Sequence, residues 1–169
     1  MNKAQEMWWR QAASDYAVFE LLRSQGVAAC HPLHFLQMST EKIAKAAFWS
    51  RNTAPAMSHV GFVSFLKKLG STPSKKRSQL ASLFEFPNFN SFQAWLPTAC
   101  QLGRQIETIA PAVMPDGPNA EYPWPHAAPT AYPANYPFPI WDDLKRSQGR
   151  RMTRFIERAM REFPQIADL

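Results

Sequence analysis

The chain has 169 residues, 46% hydrophobic and 13% aromatic, a composition that suits one folded domain over residues 1–169 and excludes a disordered tail. Its apolar runs span only a few residues, far short of the roughly 20 that cross a bilayer, and no signal-peptide pattern opens it, so the expected location is the cytoplasm, off the membrane. Nineteen basic against thirteen acidic residues give a net charge of +6, a mild preference for polyanionic partners.

Residues from about Gln5 to Ser24 read as a first helix. Trp8, Ala12, Phe19 and Leu22 recur at helical spacing, Tyr16 flanks them, and Gly26 stops the run. Asp15 falls on the same face. An acid there either reaches water at the edge of a wide face or is answered by a cation.

The second helix, Leu33 to Ser50 and ending near Arg51 or Asn52, is entered through His31-Pro32. It is apolar most of the way round, with Leu33, Leu36, Ile43, Ala44 and Ala47 on one side and Phe35, Met38, Ala46 and Trp49 on much of the other. Such a helix belongs inside a bundle. Yet His34, Gln37, Glu41 and Lys45 share one narrow stripe, with Lys42 at its edge. Ionisable groups so enclosed require partners or a ligand. The expectation is that Asp15 pairs with Lys42 or Lys45.

A short third helix is predicted over about Ser58 to Leu69, with Ser58 as N-cap, Phe62, Phe65, Leu66 and Leu69 as its stripe, and Gly70 closing it. A basic connector with Lys75, Lys76 and Arg77 follows, then an aromatic loop over Phe84 to Phe92. Pro97 is placed in the first turn of a fourth helix that stops before Pro111. Nine of the fifteen prolines then fall between Pro111 and Pro139. Tyr122, Trp124, Tyr132, Tyr136 and Phe138 supply apolar anchors, which predicts an ordered extended segment packed on the helices. From Trp141 to Phe163 a last helix sets Met152, Phe155, Ile156, Ala159, Met160 and Phe163 against a stripe of Arg150, Arg154, Arg158 and Arg161. No strand pattern emerges. The expected class is all-α, an antiparallel up-and-down bundle of four to five helices.

An ordered set of features resembles the HEPN superfamily of compact helical bundles. It comprises Trp8-Trp9 with Ala12 and Asp15, then Phe35-Leu36-Gln37 leading into Glu41-Lys42 and Lys45-Ala46. His59 stands where that family often opens its next helix, and a Tyr-Pro step (Tyr122-Pro123 or Tyr136-Pro137) precedes the final helix. The likeness covers residues 7–69 firmly and the rest loosely. Many such proteins are metal-independent ribonucleases whose Arg precedes a His by four to six residues at a dimer interface. This chain departs from that pattern. Its histidines are His31, His34, His59 and His126, none has an Arg at that spacing, and the last helix holds no His. The resemblance therefore implies the fold and the dimer, and argues against the family's best-known activity.

No Gly-rich phosphate loop, HExxH or paired Cys/His cluster is present, so no metal or cofactor is expected. Cys30 and Cys100 read as two reduced thiols in or near the core. The expectation is a non-catalytic bundle, homodimeric, that binds a nucleotide, an RNA or a protein partner. Asp15, His34, Gln37, Glu41, Lys42, Lys45 and His59 would line its pocket, and Arg150, Arg154, Arg158 and Arg161 its polyanion face. The alternatives are a ribonuclease toxin of a toxin–antitoxin pair using His34 or His59 with Arg51, and the binding half of a nucleotidyltransferase pair.

Overall fold

The computed structural model describes residues 1–49, 60–126 and 130–168. Those residues form seven α-helices and two 3₁₀ turns, with no strand among them beyond one isolated bridge between Trp124 and Ala131. The helices are α1 (Lys3–Ser24), α2 (Cys30–Phe48), α3 (Phe62–Gly70), α4 (Arg77–Leu83), α5 (Phe89–Thr108), α6 (Pro139–Lys145) and α7 (Ser147–Ala167). The all-α expectation holds, but there are more helices than the four to five expected. None of the helices is long and apolar enough to cross a membrane.

Local chemistry sets most of the boundaries. Asn2 and Gln5 cap α1 reciprocally, each side-chain oxygen accepting the other residue's N–H at 2.9 Å. In α2, 13 of the 19 residues are buried, the enclosure that its sequence implies. Its buried hydroxyls are satisfied within the helix, Ser39 Oγ donating to Leu36 O and Thr40 Oγ1 to Gln37 O. Trp49, in extended conformation, ends α2 before the Arg51–Asn52 stop expected of it. The first residue of α3 is Phe62, with Gly61 as N-cap. The expected N-cap Ser58 lies outside the described residues, as do Arg51 and His59.

Three expectations need correction. The basic connector is not loop throughout, since α4 begins at Arg77. The aromatic stretch is already helical at Phe89, because Asn88 accepts the Ser91 N–H at 2.9 Å and starts α5 there, so Pro97 sits inside that helix. An interior proline costs about 3 kcal/mol, which burial of Phe89, Phe92, Trp95 and Ala99 on the opposite face offsets. Finally, the last helix is two. Arg146 adopts an extended conformation between α6 and α7. Gly149 makes that corner possible, because a Cβ there would fall 2.1 Å from Asp143 O.

One core runs through the helices. Phe155 of α7 stacks on Phe84 at 4.2 Å between centroids and also meets Phe92 and Trp95, so the aromatic segment packs as expected. Of the five aromatic anchors of the proline-rich segment, Trp124 and Phe138 are buried and Tyr136 is half-buried. Tyr122 and Tyr132 are exposed. A single buried side chain ties the segment together: Asn119 donates to Met114 O and Gly117 O and accepts from the N–H groups of Glu121 and Tyr122. Cys30 and Cys100 are free and buried, and burial pushes both thiols up.

Candidate functional site

The inner stripe resolves into two contacting sets. Lys42 Nζ donates to Asp15 Oδ2 at 2.5 Å, and Gln11 Nε2 donates to the other oxygen at 3.0 Å. One turn further along α2, Lys45 Nζ donates to Glu41 Oε1 and lies 5.1 Å from the Trp8 ring centroid. Gln37 Nε2 donates to Glu41 Oε2 at 3.1 Å. Asp15, Gln37, Glu41 and Lys45 are all buried. Each lysine thus faces a carboxylate supplied by this chain.

His34 stands apart from these groups. Its Nδ1 lies 3.3 Å from Glu121 Oε1, off the line of a hydrogen bond, in an open groove with Cys30, Tyr122 and Tyr132. His59, the remaining member of the expected pocket, falls outside the described residues.

The arginine stripe is divided by its neighbours. Arg150 donates to Lys145 O, closing the corner after α6. Arg161 donates to Glu162 Oε1 at 3.0 Å, just before the helix kinks ahead of Pro164. Arg154 and Arg158 instead line a hollow of about 340 Å³ between the Phe84–Phe86 segment and the first turns of α7. Arg151 joins them there, its guanidinium 4.3 Å from the Phe86 ring centroid and 5.8 Å from that of Trp95. Two aromatic faces hold that cation in place. Arg158 pairs with Glu85, whereas Arg154 has no carboxylate partner among the described residues.

Residues 151, 154 and 158 follow the i, i+3, i+7 spacing of one helix face. Sequence reasoning grouped Arg154 and Arg158 with Arg150 and Arg161 and missed Arg151. The signal was present: Arg151 borders the apolar face, where an arginine can lay its stem along buried rings. Ser147 and Gln148 bring the N-terminal end of α7 to the same hollow, adding the positive end of its helix dipole.

Such a site suits an oxyanion: fixed guanidinium forks bind phosphate in bidentate fashion. None of the residues lining it is a histidine or a cysteine. Among the described residues, no group of three His, Cys, Asp or Glu side chains is placed to hold a metal ion. No family model, curated protein or solved structure matches this chain.

Proposed function

We propose that this protein is a non-catalytic, HEPN-like antiparallel helical bundle that binds a phosphate-bearing ligand, a nucleotide or an RNA, and does so as a homodimer in the cytoplasm. The observation that carries the binding is the hollow in which Arg151, Arg154 and Arg158 converge, two of them, Arg151 and Arg154, with no carboxylate partner among the described residues. In this reading Asp15, Gln37, Glu41, Lys42 and Lys45 hold α1 against α2 and do not reach the ligand. The antiparallel arrangement is supported by the order of the contacts. Trp8 and Asp15 of α1 meet Trp49 and Lys42, and Trp9 and Tyr16 meet Met160 and Thr153, so α1 runs opposite to α2 and opposite to α7. The dimer rests on the HEPN resemblance.

Titration of a labelled single-stranded RNA and of nucleotides at several salt concentrations tests the binding. Arg154→Ser with Arg158→Ser should weaken binding at least tenfold and lower the salt slope by about 1.4, at roughly 0.7 per phosphate contact on a single strand. Thermal stability should hold. Metal-independent RNA cleavage in the same mixture, lost on His34→Ala, would replace binding with catalysis.

A further inference from the structure

Glu85 has an unusual backbone for its residue type. It ends α4 with φ 57°, in the left-handed region. Phe86 N–H donates to Ala81 O and Glu85 N–H to Ser82 O, the pair of bonds that closes a helix with a left-handed residue. Glycine or asparagine ordinarily takes that place, and a long acidic side chain there is disfavoured. The conformation directs the Glu85 carboxylate onto Arg158, at the hollow that Arg151 and Arg154 also line. Three guanidiniums and one carboxylate leave that hollow two positive charges before a ligand enters, and three once the carboxylate gives way. A phosphodiester brings one negative charge to such a site. A phosphomonoester brings about 1.5 to 2 at pH 7, together with three strong acceptor oxygens.

We infer that the hollow formed by Arg151, Arg154 and Arg158 is a phosphomonoester site, for the terminal phosphate of an RNA or of a mononucleotide, and that Glu85 is its built-in counter-carboxylate, displaced from Arg158 when the phosphate enters. The inference rests on the binding function proposed above and sharpens its ligand. Arg151, fixed over Phe86 and Trp95, supplies the rigid fork. Arg154 has no acid partner among the described residues, and Arg158 changes partner from carboxylate to phosphate. Exchanging one anion for another keeps Arg158 paired throughout, so binding leaves no cation without a partner.

The test uses the full chain and four probes: a short RNA with a 5′-phosphate, the same RNA with a 5′-hydroxyl, adenosine monophosphate and inorganic phosphate. The 5′-phosphorylated RNA should bind at least tenfold tighter than its 5′-hydroxyl twin, and inorganic phosphate should compete with it. Adenosine monophosphate binding as tightly as the phosphorylated RNA assigns the site to mononucleotides, and weaker binding assigns it to RNA ends. Glu85→Gln keeps the size and the backbone and removes the charge, so it should tighten every phosphomonoester probe about three- to tenfold with little change in melting temperature. Equal affinity for the two RNAs overturns the phosphomonoester site while leaving polyanion binding in place. Unchanged affinity in Glu85→Gln overturns the role of that carboxylate. No binding of any probe, by either protein, overturns both this inference and the function it rests on.

Discussion

Lys42 and Asp15, 27 residues apart in the chain, meet across the α1–α2 seam with Nζ 2.5 Å from Oδ2. Side-chain exposures of 14% and 9% make each charge costly alone and tolerable with the other. Removing one partner leaves the other uncompensated, so Asp15→Ala should lower stability by about 3 kcal/mol, near the low end for a buried pair because Lys42 retains some solvent. Replacing both, as Asp15→Leu with Lys42→Met, should recover most of that loss. Urea unfolding of the parent and the two variants checks it, and a double variant no more stable than Asp15→Ala would show that the pair is not the unit.

Tyr16 governs behaviour at high pH. Its O–H donates to Thr153 O at 3.1 Å, and burial, reinforced by Glu20, pushes the phenol far above its ordinary range. In the unfolded chain the phenol ionises near its ordinary value of about 10. Above that pH the unfolded state releases a proton that the folded state keeps, so the contribution from Tyr16 is complete below pH 10 and is lost as pH rises further. Tyr16→Phe should cost about 1 kcal/mol at neutral pH, for the hydrogen bond. Above pH 10 the variant should lose stability less steeply than the parent. Parallel decline of the two proteins in urea titrations at pH 8 and 11 would contradict it.

The proline-rich segment should respond unevenly to mutation. Trp124 is 2% exposed, while Tyr122 and Tyr132 are 61% and 53% exposed. Trp124→Ala should therefore cost about 3–4 kcal/mol, as large-to-small core changes do. Tyr122→Ala and Tyr132→Ala should stay within about 0.5 kcal/mol. Chemical denaturation separates the two classes.

At Glu85 the backbone and the side chain can be tested apart. Both Glu85→Ala and Glu85→Gly remove the contact with Arg158, but only glycine adopts φ 57° without strain. Glu85→Gly should be the more stable of the two by about 1 kcal/mol. Equal stabilities in thermal melts would mean that the left-handed turn relaxes in solution.

What could be read beforehand follows from where the decisive contacts lie. The enclosure of α2 was legible because its apolar residues lie all round one helix, and the Asp15–Lys42 pair because two groups each unfavourable alone account for each other. The position of Pro97 was not. A proline breaks a helix by local rules, and only the burial of Phe92 and Trp95 overrides them. The α6–α7 corner escaped because it depends on Gly149 lying against Asp143, a contact with no sequence signature. Arg151 was missed for a related reason: the rings that hold it, Phe86 and Trp95, come from elements more than fifty residues away.

The bonds from Trp9 to Met160 and from Tyr16 to Thr153 span 151 and 137 residues. On the ribosome, at roughly 5–20 residues per second, α1 waits from about seven to thirty seconds for the segment that covers this side of it. Until then it can rest only on α2, its nearer neighbour in the chain. The indole and phenol that later meet α7 stay uncovered in the meantime, so the nascent chain carries an adhesive flank until α7 arrives and completes this side of α1.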